Sequence, residues 1–141
     1  MKVLYTAVAT ATGEGRNGHV RSSDGLLEHD LASPVELGGP GGLTNPEQLF
    51  AAGYAACFLN AVKRMARESK TDIADAAVTA EVGMGRNAAD TGFALEVTLV
   101  VEVGGVDEAT AQRLAHAAHE VCPYSNATRG NIAVTLEVVT G

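Results

Sequence analysis

The sequence has few basic residues and no long apolar run. Ten lysines and arginines stand against 17 aspartates and glutamates, which gives a formal net charge of −7. Because a nucleic-acid-binding surface needs a basic patch, this balance argues against a nucleic-acid partner. Apolar runs of about 18 residues are absent, and the N-terminus does not resemble a secretory signal. We therefore expect a cytoplasmic protein with no membrane partner.

Cysteine is also scarce, since the chain contains only Cys57 and Cys122. Two cysteines are too few for a structural zinc site, which usually has four ligands, and we expect no metal. In the cytoplasm a cysteine pair that does form a bridge is usually transient and catalytic. Free cysteine also behaves as a small buried hydrophobe. From spacing alone, inert core cysteines and a redox pair are therefore equally good interpretations.

The length and composition predict a single domain with a sizeable core. The chain has 141 residues, of which 46% are hydrophobic, and this is enough for one domain over residues 1–141. We expect an N-terminal β unit over about 1–37 and a glycine-rich loop over 38–44. A core of helices and sheets then occupies 45–141.

Strands are predicted in both halves of the chain. Residues 2–10 read as a first strand, and Asp24-Gly25 is a strong hairpin signal between strands at 17–22 and 26–32. Strict alternation of apolar and polar residues implies one buried face, which is typical of antiparallel sheets. Such alternation predicts three later strands, over 78–84, 93–103 and 132–138.

Two main helices are predicted. Asn45 is a good N-cap for a helix to about residue 69, with Pro46 in the first position and Gln48 three after the cap. Asp107 caps a second helix over about 108–121. Its core-facing stripe comprises Ala111, Leu114, Ala115, Ala118 and Cys122, while Gln112, His116 and His119 form a solvent-facing polar side. The element order predicts an α+β fold with antiparallel sheets packed against the helices.

The two cysteines suit different chemical tasks. A thiolate is the nucleophile in cysteine chemistry, and a neighbouring positive charge is needed to form it at neutral pH. Cys57 is the better nucleophile, because Ala55 and Ala56 leave room for a substrate. Cys122 ends the apolar stripe just before Pro123, which suits a buried thiol that condenses with an oxidised sulfur.

The activating charge would come from an arginine. Arg16 lies in a flexible loop with glycines on both sides, and Glu47 could hold it through a bidentate pair. The alternative is that Arg16 is a solvated loop charge and Glu47 complements the helix dipole. On a straight helix Glu47 and Cys57 would lie about 15 Å apart and could not share one arginine. We therefore predict that the helix breaks near Gly53 and that Cys57 begins a second helix, which would lower its pKa.

The segments around the cysteines carry a family resemblance. Residues 44–58 and 121–131 resemble the signature segments of the organic hydroperoxide resistance proteins, within the osmotically inducible protein C superfamily. The likeness extends over nearly the whole chain, including Leu4-Tyr5-Thr6-Ala7, the Gly-Arg loop and the glycine-rich loop. The sequence from Val121 to Asn126 resembles the sequences of this subgroup and not those of the osmotically inducible sister subgroup.

This resemblance implies an activity and a set of site residues. The implied fold is OsmC-like, an intertwined α+β homodimer with its sites at the subunit interface. The implied activity is reduction of organic hydroperoxides, including those of fatty acids, by peroxidatic Cys57 and resolving Cys122. Arg16 and Glu47 correspond to the residues that support the thiolate. The implied reductant is a dithiol, typically a protein-bound lipoyl group, and no metal, haem or flavin is implied.

Apolar side chains near Cys57 suggest a substrate slot. Leu49, Phe50, Tyr54 and Phe58 could cover the thiol with an oily surface, and an alkyl tail would gain about 0.8 kcal/mol per buried methylene. Three other interpretations stay open at this point. They are the sister peroxidase with broader substrates, a binding or sensing module whose cysteines oxidise without turnover, and an inert domain with buried thiols.

Overall fold

The computed structural model describes residues 1–141 and has an α+β architecture. Three α-helices, two short 3-10 helices and two three-stranded sheets form the regular structure. The chain divides into two compact units, Met1–Leu49 and Phe50–Gly141. None of the helices combines the length and apolar composition needed to cross a membrane.

The first unit contains a small antiparallel sheet. Strands β1 (Ala9–Thr12), β2 (His19–Ser22) and β3 (Glu28–Asp30) pair in that order. The predicted hairpin at Asp24 is confirmed, and the Asp24 carboxylate stabilises its turn by accepting hydrogen bonds from Leu26 N and Ser22 Oγ. The two 3-10 helices, Gly15–Asn17 and Val35–Leu37, lie in the loops on either side of this hairpin.

The first predicted strand is mostly wrong. Of residues 2–10, only the last two lie in β1. β1 begins at Ala9 because its register partner Ser22 is the last residue of β2, so residues 2–7 have no partner strand. Their apolar side chains, including Leu4 and Tyr5, are exposed.

Helix α1 spans Pro46–Glu68, close to its predicted bounds. Asn45 Oδ1 accepts a hydrogen bond from Gln48 N at 2.9 Å, which confirms the N-cap. The reciprocal half of a capping box is absent, because Gln48 Oε1 accepts from Thr44 Oγ1 instead. The helix is continuous through Gly53 and Cys57, so the predicted break near Gly53 is wrong.

The sheet of the second unit is mixed. Strands β4 (Ala76–Arg86) and β5 (Phe93–Val103) are antiparallel, whereas β6 (Val134–Thr140) runs parallel to β5. The expectation of wholly antiparallel sheets is therefore wrong for β6. Helices lie between β5 and β6 in the chain and return it to the end of the sheet where β5 begins. Parallel strand pairs require a crossover of this kind.

Two helices form this crossover. Helix α2 (Glu108–Val121) is capped by Asp107, whose Oδ1 accepts from Thr110 N at 2.8 Å, as predicted. The short helix α3 (Pro123–Thr128) follows at once, with Cys122 as the single residue between the two. The core stripe of α2 is confirmed, since all five of its residues are buried.

The core of the second unit lies between the sheet and the helices. α1 contributes Tyr54, Phe58 and Val62, β5 contributes Leu99 and Val101, and α2 packs its apolar stripe on the same cluster. Cys122 belongs to this core, and Cys57 packs against its edge.

Candidate active site

The two cysteines lie side by side. Cys57 is half-buried in the middle of α1, and Cys122 is fully buried at the junction of α2 and α3. Cys122 Sγ donates a hydrogen bond to Cys57 Sγ over 3.5 Å. A disulfide needs sulfurs about 2.05 Å apart. A small movement of the two side chains would bring these sulfurs to bonding distance.

The surroundings of Cys57 within its own unit favour the neutral thiol. Burial is the largest effect on the pKa of Cys57 and raises it, and the neighbouring Cys122 side chain acts in the same direction. The backbone N–H of Tyr124 acts in the opposite direction by donating toward the sulfur. Cys57 needs an additional positive charge to become a thiolate near neutral pH.

The unbroken α1 removes one source of activation that the sequence suggested. Cys57 lies eleven residues after Pro46 in a continuous helix and not in a first turn. The partial positive charge of a helix N-terminus falls off within the first turn. The prediction that the helix dipole lowers the pKa of Cys57 is therefore wrong.

Arg16 and Glu47 form a bidentate ion pair. Arg16 Nη1 donates to Glu47 Oε2 at 2.9 Å, and Arg16 Nη2 donates to Glu47 Oε1 at 2.5 Å. The side chains are 41% and 15% exposed, respectively. The hydrogen bonds from Arg16 hold the pKa of Glu47 below its usual value, and Glu47 raises the pKa of Arg16. This geometry fixes the plane of the guanidinium in the loop that carries it.

The four apolar residues expected around the substrate lie in different environments. Tyr54 and Phe58 are 0% exposed and belong to the core. Their burial does not agree with an open slot formed by these two side chains. Leu49 and Phe50 are half-buried near the start of α1. Of the four residues, Phe50 lines a cavity.

This cavity is apolar and has a volume of about 450 Å³. Pro123 and Tyr124, which directly follow Cys122, form part of its wall. Phe50 contributes from α1, and the remaining lining residues are Leu95, Ala127, Thr128, Asn131 and Ile132. Tyr124 lies two residues after Cys122, in the segment over 121–131 that carries the family resemblance. No sequence signal connected Leu95 with the site, because it is distant from both cysteines in the chain, whereas Ile132 directly follows the segment over 121–131.

A hydrogen-bond network lies beside the cysteines. Tyr54 Oη is 2.9 Å from Ser125 Oγ and 3.0 Å from Thr128 Oγ1, and His119 Nδ1 is 2.8 Å from Ser125 Oγ. His116 is exposed as predicted, but the expectation that His119 faces solvent is wrong. His119 is half-buried, with its ring near Phe58. Sequence periodicity missed this role because α3 brings Ser125 over the flank of α2.

Arg129 stabilises the same region. Its Nη1 donates to the carbonyl of His119 at 2.8 Å near the end of α2, and its Nη2 donates to Asn126 Oδ1 in α3. The arginine thus joins the two helices on either side of Cys122. These contacts give Arg129 a structural role at the end of α2.

Comparisons with known proteins agree with these features. A family model described as OsmC-like protein matches residues 39–137. The chain is 55% identical over 137 residues to the organic hydroperoxide resistance protein of Xanthomonas axonopodis pv. citri (strain 306), covering 96% of this chain and 94% of the relative. It is 49% identical over 136 residues to the organic hydroperoxide resistance protein OhrB of Bacillus subtilis (strain 168), covering 96% and 98%.

Solved structures give the same result. A crystal structure of an organic hydroperoxide resistance protein from Elizabethkingia anophelis has a TM-score of 0.94 and 51% identity, with all of both chains covered. One from Legionella pneumophila has a TM-score of 0.93 and 53% identity, with 98% and 99% covered. The chain belongs to the OsmC-like family and, within it, to the organic hydroperoxide resistance proteins. The resemblance inferred from the sequence is confirmed.

Proposed function

We propose that this protein is a cysteine-based peroxidase that reduces organic hydroperoxides to alcohols. The observation that carries the proposal is the 3.5 Å separation of Cys57 Sγ and Cys122 Sγ. The names of the relatives support an organic hydroperoxide as the substrate. Cys57 is the nucleophile because it is the less buried sulfur, and Cys122 is the resolving thiol.

The proposed reaction has two steps on the protein. The Cys57 thiolate attacks the terminal peroxide oxygen, the O–O bond breaks, and the alkoxide leaves and takes a proton to become the alcohol. Cys57 is then a sulfenic acid. The Cys122 thiol attacks this sulfur, which forms the disulfide and releases water. The short distance between the sulfurs favours this second step over further oxidation of Cys57.

Arg16 is proposed to supply the positive charge that Cys57 needs. Glu47 holds the guanidinium through two hydrogen bonds and fixes its orientation. Glu47 and Cys57 lie about 15 Å apart along the unbroken α1. Arg16, which Glu47 holds, is therefore proposed to act on Cys57 through its charge and not by contacting both side chains at once. A full positive charge also acts on a thiolate at a distance, although the effect weakens with separation.

The apolar cavity is proposed to receive the organic part of the substrate. Phe50 and Tyr124 line it, and the adjacent backbone N–H of Tyr124 acts on Cys57. Each methylene of an alkyl chain buried there would contribute about 0.8 kcal/mol. Hydrogen peroxide has no apolar part and gains nothing. Leu49 remains a proposed contact at the start of α1, whereas Tyr54 and Phe58 shape the site from within the core.

The disulfide must be reduced before another turnover. We propose an external dithiol as the reductant, such as a protein-bound lipoyl group, with no other cofactor. We also propose that the protein works in the cytoplasm as a homodimer. The exposed apolar side chains of Val3, Leu4 and Tyr5 support a second copy as a partner, because a monomer gains nothing from exposing them together.

Turnover measurements test the proposal. Purified protein is assayed with cumene hydroperoxide or a fatty-acid hydroperoxide and dihydrolipoamide, for the wild type, Cys57→Ser and Cys122→Ser. We expect sustained turnover by the wild type and none by Cys57→Ser. Cys122→Ser is expected to consume about one equivalent of hydroperoxide and then stall, because its sulfenic acid has no partner.

Other outcomes would overturn the assignment. Full activity of Cys57→Ser would show that another group is the nucleophile. If the wild type formed the disulfide once and never turned over with any dithiol, the protein would be a redox sensor and not an enzyme. An Arg16→Gln variant should also raise the pKa of Cys57, measured as the pH dependence of its alkylation by iodoacetamide, and an unchanged pKa would remove Arg16 from the mechanism.

A further inference from the structure

The hydrogen-bond network beside the cysteines follows their spacing along the helices. Tyr54 lies three residues before Cys57 on α1, and Ser125 lies three residues after Cys122 on α3. His119 lies three residues before Cys122 on α2. Tyr54 and Cys57, three apart on one helix, lie about one turn from each other. Cys122 is the cap residue of both α2 and α3, so His119 and Ser125 lie in the helical turns on either side of it. The hydrogen bond between Tyr54 and Ser125 therefore joins α1 to α3 within about one turn of each cysteine.

The network is buried and fully satisfied. Tyr54 and Ser125 are 0% exposed, and Thr128 is nearly so. With a proton on His119 Nδ1, that nitrogen donates to Ser125, Ser125 to Tyr54, and Tyr54 to Thr128. Thr128 Oγ1 completes the series by donating to the carbonyl of Ser125 at 3.3 Å. Each of the three hydroxyls then both accepts and donates one hydrogen bond.

The position of Cys122 depends on the packing of three helices. Its backbone N–H donates to Ala118 O in α2, and its carbonyl accepts from Asn126 N in α3, both at 2.9 Å. Cys122 is thus the junction residue between the two helices. Its distance from Cys57 is set by how α2 and α3 pack on α1. These same three helices are joined next to that junction by the hydrogen bonds of Tyr54, Ser125 and His119.

We propose that this network is a positioning device that holds Cys122 against Cys57 for disulfide formation. Tyr54 and Ser125 are positioning residues, since their hydroxyls bond to each other and act on the cysteines through the helices. This inference rests on the proposed function for its purpose. In that reaction Cys57–SOH and Cys122–SH give Cys57–S–S–Cys122 and one molecule of water, and the sulfenic acid is the oxidant.

The network raises the effective concentration of one thiol at the other. Two thiols held at near-contact distance form a bridge more readily than two thiols on helices that move independently. Hydrogen bonds between buried groups are stronger than those in water, and the loss of one partner leaves the other unsatisfied. Because these bonds cross between helices, their loss loosens the contact between the cysteines as well as lowering stability.

The test uses Tyr54→Phe, Ser125→Ala and the double variant, without any hydroperoxide. Each protein is equilibrated with mixtures of reduced and oxidised dithiothreitol, and thiol labelling gives the disulfide fraction. In this equilibrium the protein disulfide accepts two electrons from the dithiol, which becomes its cyclic disulfide. We expect each single variant to lower the effective concentration of the pair by about three- to tenfold. A tenfold decrease corresponds to about 30 mV.

The double variant sharpens the test. Tyr54 and Ser125 share one hydrogen bond, so the two effects should be less than multiplicative in the double variant. If Ser125→Ala does not fold, His119→Ala removes the other side-chain partner of Ser125 and is expected to act in the same direction. Tyr54→Phe keeps the ring and its core packing, so it isolates the hydroxyl.

Two controls separate positioning from general stability. Tyr5→Phe makes the same chemical change at an exposed site. Val101→Ala weakens the core within β5 and changes none of the hydrogen-bonding side chains of the network. Both are expected to keep the effective concentration within twofold of the wild type. The proposal is overturned if Tyr54→Phe and Ser125→Ala also stay within twofold, or if Val101→Ala lowers the effective concentration as much as they do. Because no hydroperoxide is used, absence of peroxidase activity would not affect this result.

Discussion

Tyr124 packs directly on the backbone of α1 at Gly53. A Cβ atom at position 53 would lie 2.8 Å from Tyr124 Oη and 3.2 Å from its Cε2. The same ring lies near those of Tyr54 and Phe50, with centroid distances of 5.7 and 6.3 Å. Gly53 therefore allows a close approach between α1 and the segment after Cys122, and this explains a glycine in the middle of an unbroken helix.

Gly53→Ala is expected to disturb substrate binding more than stability. Alanine favours a helix by about 1 kcal/mol over glycine, but its Cβ displaces the half-exposed end of Tyr124, so the two effects oppose each other. We expect the free energy of unfolding to change by less than about 1 kcal/mol. The KM for a long-chain hydroperoxide should rise severalfold, because Tyr124 lines the apolar cavity. Thermal unfolding and steady-state kinetics measure the two effects.

Ala52→Gly provides the matched control at an exposed position of the same helix. It should cost about 1 kcal/mol of stability by helix propensity and leave the KM unchanged. If Gly53→Ala leaves the ratio of KM values for long-chain and short-chain hydroperoxides at the wild-type level, the proposed role of the cavity is wrong.

The ion pair of Arg16 and Glu47 should make stability depend on pH in the acid range. The pKa of Glu47 is lowered from its ordinary value of 4.5 by the hydrogen bonds from Arg16. A lowered carboxyl pKa stabilises the folded state above the unfolded-state pKa, and this contribution is lost as the pH falls through the folded-state pKa. Because Arg16 is 41% exposed, we expect only about 0.5–1 kcal/mol at neutral pH.

Denaturant unfolding of the wild type and Glu47→Gln at several pH values checks this expectation. The difference in unfolding free energy should be present at neutral pH and should disappear well below pH 4.5. Glu14→Gln removes a carboxylate from the loop that carries Arg16 and serves as a control. A difference that stays constant down to low pH would show that the effect of Glu47→Gln does not come from charge.

Two histidines should titrate on opposite sides of their ordinary pKa. Burial lowers the pKa of His119, and the positive charge of Arg129 adds to this effect. Hydrogen bonds with Asp30 and Glu28 raise the pKa of His19, whose Nδ1 lies 2.8 Å from Asp30 Oδ1. His119 therefore contributes stability that is lost as the pH falls below 6.5, whereas the contribution of His19 is lost as the pH rises.

NMR titration of the histidine ring protons measures both pKa values. His119→Gln and His19→Gln assign the resonances. We expect the midpoint of His119 to lie below 6.5 and that of His19 above it. The reverse order would mean that His119 is more exposed to solvent than its contact with Ser125 indicates.

Local signals in the sequence predicted much of the fold. The N-caps Asn45 and Asp107, the alternation in β5 and the apolar stripe of α2 each depend on neighbours in the chain. The errors arose where distant segments decide the outcome. Gly53 suggested a break because its partner Tyr124, 71 positions later, is not visible from local propensity. The parallel direction of β6 likewise follows from the path of the chain through α2 and α3.

The candidate site shows the same division. Resemblance singled out Cys57, Cys122, Arg16 and Glu47, and the structure pairs the cysteines with each other and Arg16 with Glu47. The lining of the cavity was predictable in part, because Phe50 was expected near the substrate, whereas Leu95 comes from β5, far from both cysteines in the chain. His119 was assigned to solvent from helical periodicity, which does not include the short helix that covers it.

The most direct test of the account is the mass of the protein after one equivalent of cumene hydroperoxide. We expect the wild type to lose two hydrogen atoms as Cys57 and Cys122 form their disulfide. Cys122→Ser should instead gain oxygen on Cys57, located by peptide mapping, and Cys57→Ser should remain unchanged. If the wild type kept both thiols under these conditions, or if oxygen were found on Cys122 first, the roles assigned to the two sulfurs would be contradicted.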